Sequence, residues 1–146
     1  MSNDVKILNG LISVLIDSAD GYEQAASIND RPNITAEFRA LATQRRAIAE
    51  EFKTFVRSLG GTPEDDGSYL AAAHRQFLNL KSTFTDNAKA AVSEVETGEN
   101  YIKEQFEKAI KDDDITAQTR SFIDAHWTKI AADHARMDNL KTLMAA

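Results

Sequence analysis

Apolar residues recur every three or four positions along four long stretches of the chain, which is the spacing that places them on one face of an α-helix. The helices that these stretches predict cover about residues 3–28, 33–59, 88–111 and 115–144. Asn33 is expected to cap the second helix, and Gly60 and Gly61 to end it. No stretch alternates with the period of a β-strand.

A shorter amphipathic helix is predicted inside the long connection between the second and third helices. Its apolar stripe consists of Leu70, Ala73, Phe77, Leu80 and Phe84. Two tight turns and one long connection are the topology of ferritin-like bundles, in which the second and third helices run parallel. The sequence therefore predicts an all-α, ferritin-like four-helix bundle in a single domain over residues 1–146, with a short extra helix in its crossover connection.

Two charged residues interrupt the apolar seams of this bundle. Arg45 and Glu99 stand at seam positions of the second and third helices, where burial of an unpaired charge is costly. Both lie at a similar distance from the same end of the bundle, and folding the chain back at Asp113 brings His126 to that depth. We therefore expect a buried polar layer of Arg45, Glu99 and His126, with Glu23 of the first helix as a further member.

The same depth would also suit a metal centre with iron or zinc as its cofactor. The ligand candidates for this alternative are Glu23, Glu51, Glu96, Glu99, His126 and His134. A di-iron bundle uses a Glu-x-x-His pair on each of two helices, whereas Ile123 and Ala131 stand three residues before the two histidines. The Arg45 guanidinium would repel a cation and pair with Glu99. These features favour a salt-bridged layer without a cofactor over a metal-binding protein with oxidase or storage activity.

The composition narrows the classes of function further. The chain contains no cysteine, which excludes disulfides, thiolate metal sites and cysteine nucleophiles. Its formal net charge of -6 argues against a nucleic-acid partner. No apolar run is long enough to span a membrane, so a membrane partner is not expected either. Phosphate-binding loops and nucleophile-elbow motifs do not occur, so no catalytic residue is assigned and enzymatic activity is not expected. The first residues lack the features of a secretion signal, so a cytoplasmic location is expected.

An interaction module is a third alternative. The crossover stripe, through Leu70, Phe77, Leu80 and Phe84, would in that case pack on a second copy of the chain instead of its own bundle. The expected consequence is a homo-oligomer held together by the crossover helix.

The most specific motif lies at the start of the long connection. It reads Leu59-Gly60-Gly61-Thr62-Pro63-Glu64, and further pieces are Gly21-Tyr22-Glu23, Gln44-Arg45-Arg46 and the run from Glu94 to Glu99. In these pieces the chain resembles a bacterial family of ferritin-like four-helix-bundle proteins of unknown function, over nearly its whole length. The resemblance implies the ferritin-like fold and a stress-related bacterial setting. Ferritin-like relatives store iron or activate oxygen, but this chain departs from them at both Glu-x-x-His positions, so we expect a non-catalytic bundle.

Overall fold

The computed structural model of the protein describes residues 3–28, 31–65 and 87–145. Within these ranges the chain forms four α-helices and no β-strand, which confirms the predicted all-α four-helix bundle. The helices are α1 (Asp4–Ile28), α2 (Pro32–Ser58), α3 (Asn87–Ile110) and α4 (Ala117–Ala145). None of the described helices combines the length and the apolar character that a bilayer crossing requires. The predicted extra helix, its stripe of Leu70, Phe77, Leu80 and Phe84 and the homo-oligomer contact assigned to it lie outside the described residues.

The start of α2 is set by a proline. Pro32 occupies the first helical position, where its missing N–H and fixed φ are tolerated. Arg31 precedes it in an extended conformation, with φ −104° and ψ 113°, and is the cap residue. The prediction that Asn33 caps this helix is therefore wrong, because the proline starts the helix one residue earlier.

The end of α2 is closed by backbone hydrogen bonds from two glycines. The Gly61 N–H donates to the Val56 carbonyl and the Gly60 N–H to the Arg57 carbonyl, both at 3.0 Å. Gly60 has a φ of +83°, a left-handed conformation that residues with a Cβ adopt only at a steric cost. The predicted glycine stop therefore has a specific geometry, with Gly60 supplying the left-handed residue.

The directions of the helices follow from the contacts at one end of the bundle. The Asn3 N–H at the start of α1 donates to the Asp114 carbonyl at 2.7 Å, in the turn that joins α3 to α4. Asp4 Oδ1 accepts the Thr116 N–H at 2.9 Å, just before α4 begins. Because α1 starts where α3 ends, these two helices are antiparallel. Short turns make α1 and α2, and also α3 and α4, antiparallel, so α2 and α3 run in the same direction.

Two clusters of buried apolar side chains form the core. The cluster toward the start of α1 includes Leu8, Ile12, Leu15, Phe52, Phe106 and Ile123. The cluster toward the end of α1 includes Phe38, Leu41, Val92, Val95 and Met137. Burial of each such Leu, Ile or Phe stabilises the fold by about 1.5–3 kcal/mol. On α2, α3 and α4 the two clusters are separated in sequence by one charged, buried position: Arg45, Glu99 and Asp133.

Aromatic side chains fill the space between α2 and α4, a contact that we call the α2–α4 seam. Phe55 stacks on Phe122 with ring centroids 4.2 Å apart, and Phe52 lies 4.9 Å from the same ring. On the neighbouring side of α4, Trp127 stacks on Phe106 of α3 at 5.7 Å. The width of these rings keeps the α2 and α4 backbones apart, so side chains make most of the contact across the seam.

Candidate functional site

The side chain of Arg45 extends from α2 into the middle of the bundle and has an exposed fraction of 0%. Its Nη1 lies 2.8 Å from Glu99 Oε1 and its Nη2 3.2 Å from Glu99 Oε2, which is a two-pronged pairing with α3. Nη1 also donates to Ser18 Oγ of α1 at 3.0 Å, and Nη2 lies 3.6 Å from Asp133 Oδ2 of α4. One planar guanidinium therefore contacts polar groups of all three other helices at a single level.

Tyr22 of α1 completes the surroundings of the Glu99 carboxylate. Its hydroxyl donates to Glu99 Oε1 at 2.7 Å, and the Arg45 guanidinium carbon lies 5.6 Å from the centre of its ring. Burial, and next the negative charge of Glu99, raise the pKa of the Tyr22 phenol far above its ordinary value. Burial is the largest single effect and lowers the pKa of Arg45, but the acidic groups around it, Glu99 first and then Tyr22 and Asp133, together outweigh burial, so that pKa lies above its ordinary value. The layer therefore holds a neutral phenol and a guanidinium cation around one carboxylate.

Asp133 of α4 supplies the second buried carboxyl group. Its side chain is 5% exposed and stands between two arginines, with Oδ2 3.6 Å from Arg45 and Oδ1 3.4 Å from Arg136 Nη1. Burial raises the pKa of the Asp133 carboxyl, and the charge of Arg45 offsets only part of that rise. The next residue, His134, places Nδ1 3.9 Å from Glu99 Oε2, and its ring is 24% exposed. We call Tyr22, Arg45, Glu99 and Asp133 the charge layer.

The structure brings together two of the four residues expected in the polar layer. Arg45 and Glu99 are in direct contact, whereas the Glu23 side chain is 54% exposed and pairs with Arg46 at 2.9 Å. His126 does not reach Glu99; its Nε2 lies 2.6 Å from Glu51 Oε2 in the α2–α4 seam. The expectation that Glu23 and His126 belong to this polar layer is therefore corrected: both make their contacts outside the charge layer.

The position of His126 follows from where α4 begins. Folding the chain back at Asp113 assumes that α4 starts immediately after the aspartates, but the turn continues through Thr116. Glu99 lies 11 residues before the end of α3, whereas Asp133 lies 16 residues after the start of α4. The turn therefore carries the chain past the end of α3 by about five residues' rise, roughly 7.5 Å, and the α4 residues at the level of Glu99 are Asp133 and His134. His126 lies instead among aromatic rings, with its own ring 5.2 Å from that of Phe52.

Sequence reasoning missed Tyr22 and Asp133 as members of the charge layer. The Tyr22 ring packs in an apolar cluster, which periodicity alone does not distinguish from an ordinary core position, but its buried hydroxyl needs an acceptor. Asp133 falls three residues after Ile130 and four before Met137, so it continues the apolar spacing of α4 with a charged residue. That spacing is the same signal that singled out Arg45 and Glu99, and it would have identified Asp133.

A metal centre does not fit the residues that the structure places at this level. Both oxygens of Glu99 accept hydrogen bonds from Arg45 and Tyr22, and a cation beside them would face the guanidinium. Of the other metal candidates, His134 lies near Glu99, with its Nδ1 3.9 Å from Oε2. The rest are spread along the bundle: Glu23 pairs with Arg46, Glu51 pairs with His126, and Glu96 lies half-buried on α3. Within the described ranges, no group of three or more His, Asp or Glu side chains is arranged to hold a metal ion.

Comparison with protein-family models identifies the family to which the chain belongs. A family model described as Domain of unknown function (DUF2383) matches residues 3–112, which include α1, α2, α3 and three members of the charge layer. No curated protein matches the chain.

Proposed function

Since the chain belongs to the DUF2383 family of domains of unknown function, we propose from its geometry that it is a non-catalytic, ferritin-like bundle. In this proposal the charge layer occupies the middle of the bundle in place of a di-iron centre. Its role is to fix the level at which the four helices pack against one another, a role that is attested for buried polar groups in other proteins.

The observation that carries this proposal is the complete burial of a paired guanidinium. Arg45 and Glu99 are 0% and 1% exposed, and Tyr22 is 2% exposed, so a substrate in solution has no contact with them. A catalytic carboxylate needs access to a reacting atom, whereas the buried Glu99 oxygens are already engaged by Tyr22 and Arg45. The buried charges are thus arranged to satisfy one another.

The charge layer can fix the register of the helices because Arg45 and Glu99 pair only when their helices hold them at the same level along the bundle. A shift of one helix by one turn moves its side chains by about 5.4 Å, which would separate a guanidinium from its carboxylate. Each charge would then be buried without a partner, at a cost of several kcal/mol. The apolar clusters alone discriminate less well between such registers, because one aliphatic side chain can replace another. The same-direction arrangement of α2 and α3 across a long connection supports the ferritin-like part of the proposal.

Metal analysis tests the non-catalytic part of the proposal. Protein purified without chelator, then incubated with iron(II) or zinc(II) and desalted, is expected to retain no stoichiometric metal. Glu99→Gln and Glu104→Gln serve as matched variants on α3, since Glu104 is exposed and lies outside the charge layer. Retention of a metal ion by the wild type and by Glu104→Gln, with its loss from Glu99→Gln, would overturn the proposal and favour the metal-binding alternative.

A further inference from the structure

The α2–α4 seam contains a polar position at the level of the charge layer. The Glu51–His126 contact fixes which residues of the two antiparallel helices face each other. Seven residues back along α2 from Glu51 is Gln44, and seven residues forward along α4 from His126 is Asp133. Seven residues correspond to about two helical turns on each helix, so Gln44 and Asp133 reach the same level. The 3.6 Å separation between Arg45 Nη2 and Asp133 Oδ2 agrees with this register.

Four buried polar atoms at this level have no hydrogen-bond partner within the described part of the chain. They are Gln44 Oε1, Arg45 Nε, Asp133 Oδ2 and His134 Nδ1. Two come from adjacent residues of α2 and two from adjacent residues of α4, and the Arg45 and Asp133 side chains are 0% and 5% exposed. A buried polar atom without a partner costs about 1–3 kcal/mol, and such atoms are ordinarily satisfied by internal water.

The donors and acceptors at this position define the chemistry of a guest. The Arg45 Nε–H lies on the same edge of the guanidinium as Nη2, which is 3.6 Å from Asp133 Oδ2. This separation is too long for a direct hydrogen bond and suits a bridged contact. Gln44 Oε1 and Asp133 Oδ2 accept, while Arg45 Nε–H donates, so the complementary guest offers two donors and one acceptor. Water meets this requirement, whereas ammonium has no acceptor and would add a positive charge beside Arg45 and Arg136.

We propose that the α2–α4 seam holds an internal water site formed by Gln44, Arg45 and Asp133. The bound water donates to the two side-chain oxygens and accepts from the guanidinium, so the charge layer is hydrated on its α4 side. His134, at 24% exposure, lies beside the site and connects it to bulk solvent. The buried pair of Arg45 and Glu99 therefore lies next to a route by which protons can exchange between Asp133 and solvent.

The Gln44→Leu variant tests this site through stability. If a water connects Gln44 to Asp133, removing the amide leaves that water without one acceptor, and the Tm falls by a few degrees. If Gln44 Oε1 is an unpaired buried acceptor, the same substitution removes its desolvation cost and raises the Tm. Gln118→Leu on α4 is the control for the intrinsic effect of the exchange, because Gln118 is exposed. A Tm that is unchanged or raised relative to this control contradicts the proposal.

A crystal structure at high resolution tests the site independently of any variant. The expected result is a solvent peak within about 2.7–3.2 Å of both Gln44 Oε1 and Asp133 Oδ2. A protein side chain at that position, or a direct contact between the two residues, would overturn the proposal. Melting curves in ammonium chloride and in sodium chloride at equal concentration are expected to coincide. A rise of the Tm specific to ammonium would show that the guest is a cation instead of water.

Discussion

The guanidinium of Arg45 has a geometry that lysine does not reproduce. It presents Nη1 to Ser18 and Glu99 at the same time, and Nη2 to Glu99 and Asp133. A lysine ammonium is a point charge on a flexible stem and lacks the planar fork that contacts both carboxylate oxygens. The choice of arginine at this position therefore determines how many helices one side chain can join.

A double-mutant cycle on Arg45 and Glu99 measures the pairing. Arg45→Leu alone is expected to lower the free energy of unfolding by about 3–5 kcal/mol, because it leaves the Glu99 carboxylate buried without its cation. Replacing both residues by Leu is expected to cost far less or to stabilise the protein, since no charge is then stranded. Denaturant unfolding of the four proteins provides the measurement. A harmless Arg45→Leu variant would mean that Glu99 does not depend on the guanidinium.

Tyr22 predicts the behaviour of the protein at alkaline pH. Its pKa is raised above the ordinary value of 10.0 by burial and then by Glu99, so the folded chain holds the phenolic proton more tightly than the unfolded chain. The stability from this group is complete below that ordinary value and falls as the pH rises above it. In an absorbance titration, one of the three tyrosines of the chain is expected to ionise only when the bundle unfolds.

The Tyr22→Phe variant is the control for this titration. It is expected to lack the phenolate signal that accompanies unfolding, while the remaining two tyrosines titrate as in the wild type. The interpretation fails if Tyr22 ionises in the wild type while circular dichroism still reports the helices intact.

The helices α1 and α4 are joined where Asp4 holds Thr116, the residue whose Oγ1 caps α4 by accepting the Thr119 N–H at 3.3 Å. Asp4 Oδ1 accepts the Thr116 N–H, and Asp4 Oδ2 accepts the hydroxyls of Thr116 at 2.7 Å and of Thr119 at 2.8 Å. A carboxylate at this position also opposes the positive end of the α4 dipole. The start of α1 is thereby held against the start of α4.

Asp4→Ala is expected to lower the free energy of unfolding by about 2 kcal/mol, within the range for lost hydrogen bonds to a charged group. The reason is that the buried Thr119 hydroxyl and both donors of the cap residue Thr116 lose their acceptor. Asp124→Ala is the matched control, because Asp124 is an exposed aspartate on α4. Equal losses in the two variants, measured by denaturant unfolding, would contradict a specific role for Asp4 in holding the cap of α4.

Capping also shows where local sequence reasoning ends. The spacing of apolar residues predicted all four long helices, because periodicity depends only on neighbours within a few turns. The cap of α4 is Thr116, whose Oγ1 accepts the Thr119 N–H at 3.3 Å, and Thr116 is in turn held by Asp4 from the other end of the sequence. A partner more than a hundred residues away is set by the packing of α1 against α3, which no local spacing encodes.

One end of the bundle is pinned by contacts between the start of α1 and the chain that leaves α2. The Asn9 side chain donates to the Thr62 carbonyl at 3.0 Å and accepts the Glu64 N–H at 2.8 Å. Gly61 passes so close to α1 that a Cβ there would lie 2.8 Å from a methyl group of Val5. Together with the Asp4 contacts, these interactions tie the start of α1 to α2, α3 and α4.

The close approach at Gly61 predicts opposite effects for two similar substitutions. Gly61→Ala is expected to destabilise the protein by about 1–3 kcal/mol, since Val5 is stiff and has no room to move aside without repacking. Gly10→Ala in α1 has no atom within 4 Å of the new methyl group and is expected to stabilise by about 0.5–1 kcal/mol. Thermal unfolding of both variants is the measurement. Two shifts of the same sign would mean that the approach of Gly61 to Val5 is looser than described.

The level of the charge layer on α2 and α3 could be predicted from sequence, but its members on α1 and α4 were not. Arg45 and Glu99 interrupt apolar spacing, and the parallel direction of α2 and α3 places both at one depth. The register of α4 depends on how far its turn carries the chain past the end of α3, which the sequence does not show, so His126 was expected where Asp133 lies. Partner choice across a bundle is therefore less predictable than the presence of a buried charge.

Each apolar cluster carries its own spectroscopic reporter. The single tryptophan, Trp127, stacks on Phe106 of the larger cluster, and Tyr22 belongs to the smaller one. Indole fluorescence thus follows one half of the bundle. The part of the tyrosine signal that Tyr22→Phe removes follows the other half, because Tyr101 packs against the larger cluster. Superimposable unfolding curves from the two signals would mean that the halves melt as one cooperative unit, with the charge layer as the joint between them.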